Sequence, residues 1–335
     1  MTPLTDTLLA AIEGELQKEI ARLDEPPTAE YHEMLSYHMG WSGEGAGVKA
    51  RGKRIRPLLL LLSTAATGGT WEDALPAAAA VELIHNFSLL HDDIQDKSPT
   101  RRGRPTVWKK WGIAQAINAG DGLFIAANLA LAELGAYFPA EVVLTAARSL
   151  QETCLNLTRG QHLDIAYENL SEIAVGDYWQ MIGWKTSALL SSATETGALL
   201  GGADEALQLS YRNFGHYLGL AFQVRDDILG IWGDEAQTGK SVASDLLEGK
   251  KSLPVLYGLA KDGKFAARWR KGALSEAEIP EMAHLLEAEG ARLQAQEQAD
   301  LMTDLALKSL RMAAPQGEAG DLLFALTERL LGREA

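Results

Sequence analysis

Two acidic clusters carry residue types and spacings suited to metal-assisted chemistry. The first is His91-Asp92-Asp93-Ile94-Gln95-Asp96. On a helix Asp92 and Asp96 stand four residues apart, so both carboxylates project from one face. Carboxylates held that close repel one another unless a cation lies between them. Hard oxygen donors that leave room for water suit Mg2+, which binds through one or two carboxylates plus the phosphate oxygens of a substrate. The preceding residues, Phe87-Ser88-Leu89-Leu90, are mostly apolar, so a solvated face explains the cluster poorly. The second cluster is Phe222-Gln223-Val224-Arg225-Asp226-Asp227-Ile228-Leu229-Gly230, with Asp226 lying 134 residues beyond Asp92. A helix ending at Gly230 would account for this cluster by itself. Two Asp pairs closing two apolar stretches favour one shared metal centre.

Basic residues complete the set. Gly52-Lys53-Arg54-Ile55-Arg56-Pro57 places Lys53 and Arg56 just before a helix N-terminus, where side chains, free N–H groups and the helix dipole converge on an anion. Arg101-Arg102-Gly103-Arg104 begins five residues past Asp96, Lys185-Thr186 follows Gly183-Trp184, Lys240 follows Gly239, and Lys250-Lys251 follows Gly249. Solvated charge is the ordinary fate of Lys and Arg. Here 31 basic residues sit in a chain with 45 acidic ones and a net charge of -14, and many of them flank Gly-rich loops and the two Asp motifs. That pattern suits a polyanionic ligand held partly by metal and partly by Arg and Lys. Two separate basic sets suggest two phosphorylated substrates. His85 lies two helical turns before Asp92 on the same face; it is either a phosphate donor or a satisfied core residue. No Ser-His-Asp order, P-loop, dinucleotide fingerprint or zinc spacing stands out.

The elements that must position these residues are helical. The chain has 335 residues, 47% apolar and 23% charged, an ordinary globular composition. It holds 50 Ala and 52 Leu against 9 Val and 14 Ile, which predicts an all-α protein. Leu8, Ala11, Ile12, Leu16, Ile20 and Leu23 illustrate the helical spacing. Helices are predicted over 1–25, from Pro57, over Leu75 to Asp96, and over 113–136, 140–163, 172–200 and 205–232. Residues 40–52, Lys97 to Pro105 and Gly230 to Gly249 read as loops, and the last 80 or so residues as an amphipathic outer layer. No Ser/Pro linker divides the chain, so a single domain over 1–335 is expected. No apolar run reaches the length of a membrane span, so no integral membrane segment is expected. The acidic balance excludes a broad nucleic-acid surface. Cys154 alone makes neither an intrachain disulfide nor a cysteine zinc cluster. Met1 to Leu16 lacks the features of a signal peptide, so the expected location is cytoplasmic.

Together these residues resemble the polyprenyl synthetase family, the trans-isoprenyl diphosphate synthases. The matching segments are Gly52 to Pro57, Glu82 to Gly103, Gly160-Gln161-His162-Leu163-Asp164, Lys185-Thr186, Phe222 to Asp227, Gly239-Lys240 and Asp245 to Pro254. The resemblance implies a bundle of roughly ten or more helices packed around a central apolar cavity, a homodimer, and about three Mg2+ ions per active site. In such enzymes an allylic diphosphate ionises, the carbocation adds to isopentenyl diphosphate, and a proton is lost. The diphosphate leaves only when its charge is neutralised, and the carbocation survives only in a dry pocket. By resemblance, Asp92 and Asp96 bind Mg2+ on one wall and Asp226 on the other, supported by Asp93 and Asp227. Arg101, Lys185, Thr186, Gln223 and Lys240 would contact the allylic diphosphate. Lys53, Arg56, His85 and Arg102 would bind isopentenyl diphosphate. The departing diphosphate would accept the proton.

One departure stands out. The family's second motif usually ends in a third Asp, and here that position is Gly230; Asp234, eight residues from Asp226, cannot simply substitute. Activity is expected to survive, with weaker metal binding. Product length is read from Phe87, five residues before Asp92, as the floor of the cavity, with the small Ser88 beside it. The residues between Asp93 and Asp96 lack the two-residue insertion of bacterial farnesyl diphosphate synthases. This resembles the archaeal-type geranylgeranyl diphosphate synthases and implies a C20 product, with C15 or longer products as alternatives. Two other classes compete. A terpene cyclase would have no use for the second diphosphate set, and a non-catalytic partner subunit would be expected to lose metal ligands.

Overall fold

The computed structural model describes residues 2–168, 170–233 and 244–332. Among them the backbone is helical apart from loops and one short β-hairpin. The chain divides into two compact units interleaved along the sequence: Met1–Glu152 with Ser192–Leu209 and Pro315–Leu323, and Thr153–Ser191 with Ser210–Ala314 and Phe324–Ala335.

In the first unit, α1 (Pro3–Ala21) fully buries Leu8, Ile12, Leu16 and Ile20, a stripe with four-residue spacing. Helices α2 (Ala29–His38) and α3 (Val48–Arg51) lead to α4 (Ile55–Ala66). Leu58 to Leu62 are all buried, as a helix that is apolar all round must be. Next, α5 (Leu75–Gln95) starts with Pro76 in its first turn. It ends with Lys97 at φ 53°: the Ser98 N–H donates to the Asp93 carbonyl at 2.9 Å and the Lys97 N–H to that of Ile94 at 3.2 Å. This terminus caps the orphan carbonyls and turns the chain sharply. The predicted loop Lys97 to Pro105 is instead a hairpin in which Thr100–Arg101 pairs antiparallel with Arg104–Pro105. Its two turn residues, Arg102 and Gly103, both have positive φ, which matches the twist of the strands. Strands this short leave no alternation to read. The predicted loop 40–52 likewise holds α3.

After α6 (Val107–Trp111), α7 (Ile113–Ala132) packs along α5, which also contacts α1 and α4. The stretch Ile113–Ala136, with mean hydropathy 1.2 over its most apolar window, is long and apolar enough to cross a membrane by length and composition only. Counting uninterrupted apolar residues missed it because Asn118, Asp121 and Asn128 punctuate the run. Half of that window is buried within the protein, so packing accounts for that half of its apolar character.

The second unit takes α8 (Ala140–Glu168) from Thr153 onward. The single helix predicted over 172–200 is three pieces: α9 (Val175–Ile182), a π-helical turn Gly183–Ser187, and α10 (Ala188–Leu200). Next, α11 (Glu205–Trp232) buries Val224, Ile228 and Ile231 against Leu253 and Leu256 of helix Leu253–Ala260 and against Phe265. The charged C-terminal helices contribute their inner faces to the same core. Met282 and Leu286 come from Ile279–Ala288, and the fully buried Ala291, Ala295 and Ala299 from Ala291–Met312.

Candidate active site

At the end of α5 the three carboxylates differ in environment. Asp92 is half-buried, Asp96 exposed, and Asp93 only 2% exposed. Asp93 Oδ1 accepts the Arg101 Nε–H at 2.8 Å, while its Oδ2 is buried without a hydrogen-bond partner. Burial raises the Asp93 pKa to about 6, against the pull of Arg101. Acidic groups at the negative end of a helix dipole are unfavourable, and a bound cation would relieve that cost.

The same unit gathers the predicted cations. The Arg102 guanidinium lies over Gly52, where a Cβ would come within 2.6 Å of Nη2, and its Nη1 donates to the Ala50 carbonyl at 2.8 Å. His85 is half-buried beside Arg56, Arg102, Arg101 and His38; desolvation first, then these neighbours, hold its pKa well below the usual range. Arg56 Nε is buried without a hydrogen-bond partner, and burial lowers the Arg56 pKa although Glu82 pulls it up. Lys53 is exposed on the loop before α4. The intervening arginines do other work. Arg54, at φ 48°, donates to Glu13 at 2.7 Å and Glu82 at 2.9 Å. Arg104 donates to the carbonyls of Tyr37, Ser42 and Glu44 at 2.6–2.9 Å. Arg104 bolts the loop 40–52 in place through Ser42 and Glu44, and Arg54 ties the start of α4 to α1 and α5.

The sequence reading missed His38. Its Nε2 is buried without a hydrogen-bond partner, and it lines a small pocket with Asp93, Arg101 and Arg102. Burial, then Arg102, Arg101 and Arg54, lower its pKa well below the usual range. Nothing in the spacing of His38 points to His85, because only the fold brings the end of α2 near His85.

In the second unit, Asp226 is exposed and Asp227 is 6% exposed. Asp227 Oδ2 accepts the Tyr178 hydroxyl at 2.8 Å and the Leu253 N–H at 3.0 Å, and Oδ1 accepts Gln223 Nε2 at 3.0 Å. Burial raises the Asp227 pKa to about 7 despite these donors. Thr186 Oγ1 donates to Gln223 Oε1 at 2.7 Å, so Thr186, Gln223 and Asp227 form one chain. Lys185, in the π-helical turn, is ion-paired with Asp164. Lys240 and Asp234 lie outside the described residues.

Phe87 packs on Phe124 of α7 with ring centroids 5.3 Å apart, and on His91 at 5.1 Å. Ser88 Oγ donates to the His85 carbonyl at 2.8 Å. Asp92, Asp96 and Asp226 offer only carboxylate oxygens, and the residues about them are guanidinium and ammonium groups. Carboxylate oxygens of this kind, at either helix end, suit Mg2+ carrying phosphate oxygens rather than a thiolate or imidazole metal. Elsewhere Glu15, Glu19 and Glu133 also converge, but Lys18 and Arg22 neutralise them, so that group is an ion-pair network.

An all-α chain with carboxylates at two helix ends and clustered guanidinium and imidazole groups is built for metal-assisted chemistry on diphosphates. The comparisons agree. The polyprenyl synthetase family model matches residues 46–286. A geranylgeranyl diphosphate synthase of Mycobacterium tuberculosis is 39% identical over 308 residues, 90% of this chain and 86% of the relative. A (2E,6E)-farnesyl diphosphate synthase of Mycobacterium bovis is 40% identical over 269 residues, 77% of this chain and 74% of the relative. The crystal structure of a polyprenyl synthetase from Streptomyces coelicolor A3(2) superposes with a TM-score of 0.87 at 38% identity, covering 97% of this chain and 98% of that one. The chain belongs to the polyprenyl synthetase family. It is a trans-isoprenyl diphosphate synthase, a transferase of prenyl groups with the all-α isoprenoid synthase fold.

Proposed function

We propose that the chain condenses isopentenyl diphosphate with an allylic diphosphate to give geranylgeranyl diphosphate. The observation that carries this reading is the cluster of Arg56, His85 and Arg102 near the acidic end of α5. It supplies a phosphate-binding set distinct from the carboxylates, which a cyclase would not need. Asp92, Asp96 and Asp226 would hold Mg2+, which when bound would supply the charge that neutralises a leaving diphosphate. Arg101, Lys185, Thr186, Gln223 and Lys240 hold the allylic diphosphate, with Asp164 orienting Lys185. Lys53, Arg56, His85 and Arg102 hold isopentenyl diphosphate; the unpartnered Arg56 Nε–H is available for a charge-assisted bond to a phosphate oxygen. Buried Asp93 and Asp227 anchor the two acidic ends through Arg101 and Tyr178. The departing diphosphate accepts the proton.

Phe87 lies five residues before Asp92, about 7.5 Å along the helix, and Phe124 braces it. This pair supports a C20 limit, and the relatives named for C20 and C15 products are in keeping with it. The exposed face of α7, with Ile113, Ile117, Ile125 and Leu129, supports a homodimer.

The test is an assay with Mg2+, isopentenyl diphosphate and C5, C10 or C15 primers, with products sized by mass spectrometry and an EDTA control. A metal-dependent C20 diphosphate is expected. A C15 endpoint would place the floor higher, products beyond C20 would mean that Phe87 does not close the cavity, and no condensation would favour a cyclase or an inactive subunit. Phe87→Ala should lengthen the product; unchanged length would remove the floor.

A further inference from the structure

Three elements of the first unit meet beside the arginine hairpin and leave two buried acceptors unpaired. His38 closes α2, Asp93 lies in the last turn of α5, and Arg101 and Arg102 come from the hairpin. With Ala50 and Thr106 they line one cavity of about 20 Å3. That volume is too small for a phosphate group and holds one water molecule, given about two to four polar partners. The His38 ring is hydrogen-bonded to the Asn86 backbone, and its Nε2 is buried without a partner. The bond to Asn86 therefore uses Nδ1, which donates to the carbonyl, and Nε2 of the neutral ring can only accept. Asp93 Oδ2 is likewise buried without a partner, because Arg101 donates to Oδ1. Two acceptors cannot bond one another, and a buried acceptor left bare is costly. Arg102 uses Nη1 on the Ala50 carbonyl and has further N–H groups to give. Its charge acts on His38 more strongly than that of Arg101 or Arg54.

We propose that one bound water donates to His38 Nε2 and to Asp93 Oδ2 and accepts from Arg102, and that His38 is thereby a positioning residue for the isopentenyl diphosphate site. The inference rests on reading Arg102 as a contact of that diphosphate. A water molecule has two protons to give and lone pairs to receive, so one molecule satisfies both acceptors and one guanidinium N–H. The bridge ties the end of α2 to the end of α5 and to a hairpin whose strands are only two residues long. It aims the Arg102 guanidinium before the substrate arrives, which lowers the ordering cost of binding. His38 touches no substrate in this arrangement; it acts through the water and Arg102.

The test uses full-length protein. A crystal structure should show a water within about 3.2 Å of His38 Nε2, Asp93 Oδ2 and an Arg102 nitrogen. A dry cavity, or Arg102 bonded directly to His38, overturns the bridge. Nitrogen-15 NMR should place the His38 ring proton on Nδ1, and a proton on Nε2 overturns the bridge as well. Calorimetry with each diphosphate alone then reads the function. His38→Phe keeps a ring and removes the acceptor; it should raise Kd for isopentenyl diphosphate by about 3- to 10-fold and Kd for the allylic diphosphate by about twofold at most. His38→Gln, whose amide oxygen can accept at a similar reach, should recover most of the loss. An equal rise for both diphosphates, or no recovery in His38→Gln, makes His38 a packing residue and overturns the inference. Arg102→Lys separates the two readings. A rise for isopentenyl diphosphate there, beside an unchanged His38→Phe, overturns this inference alone; an unchanged Arg102→Lys overturns the assignment of Arg102 with it. Circular dichroism melts check that each variant is folded. If His38→Phe does not fold, His38→Leu, which also lacks the acceptor, takes its place beside the crystallographic water.

Discussion

The ends of α5 and α11 carry the same Asp-Asp pair and finish it differently. On α5 the third carboxylate, Asp96, follows in the same helix, and the buried Asp93 is held by a cation, Arg101. On α11 the third position is Gly230, with the Asp245 carboxylate packed against it, and the buried Asp227 is held by three neutral donors. The electrostatics follow. Burial raises both pKa values, to about 6 at Asp93 and about 7 at Asp227. Desolvation dominates at both; Arg101 opposes it at Asp93, and at Asp227 the three donors oppose it while the Asp245 charge adds to it. The pattern common to both ends is a division of labour: the first Asp stays accessible while the second is turned inward to fix the helix end.

The largest expected effect tests whether the ends are equivalent. Asp92→Asn and Asp226→Asn should each lower kcat by about 10²–10³-fold, the range for losing one preorganised electrostatic group. Steady-state kinetics at saturating Mg2+ would show it, and a near-normal Asp226→Asn enzyme would leave α5 as the sole metal end. A smaller effect separates the two buried acids. Tyr178→Phe removes one donor from Asp227 Oδ2 and should cost about 1–3 kcal/mol, read as a lower Tm, because that oxygen stays buried. The same change should raise the Asp227 pKa further.

The smallest effect is a pH dependence in the metal-free protein. Asp93 and Asp227 hold protons in the folded state at pH values where the unfolded chain, with its ordinary value of 3.8, has released them. Their contribution to stability is therefore full below that value and is lost as pH rises through about 6 for Asp93 and about 7 for Asp227. Thermal melts in EDTA from about pH 4 to 8 should show Tm falling through this window. Asp227→Asn should flatten the upper part and Asp93→Asn the lower part. Equal slopes in all three proteins would mean that neither acid is desolvated as described.

Much of this was legible beforehand for a physical reason. An i, i+4 acidic pair after an apolar stretch is a local pattern, and so are a Gly-flanked basic run and an Ala- and Leu-rich helix. The sequence therefore determined the all-α fold, the boundaries of α5 nearly to the residue, and the candidate metal and phosphate groups. It could not sort neighbours of the same type. By residue pattern Arg54 and Arg56 read alike, as do Arg102 and Arg104, and only the resemblance singled out Arg56 and Arg102; in the structure Arg54 ties α4 to α1 and α5 and Arg104 holds a loop, while Arg56 lies beside His85 and Arg102 over Gly52. That choice depends on backbone direction at Arg54 (φ 48°) and on a hairpin too short to leave a pattern. The roles of His38, Phe124 and Tyr178 were invisible because each acts on a residue distant in the chain, and such contacts exist only once the helices pack. Residue type and local spacing set what chemistry this protein can do; tertiary packing decided which carboxylates are buried, which cations are occupied elsewhere, and what fills the space at Gly230.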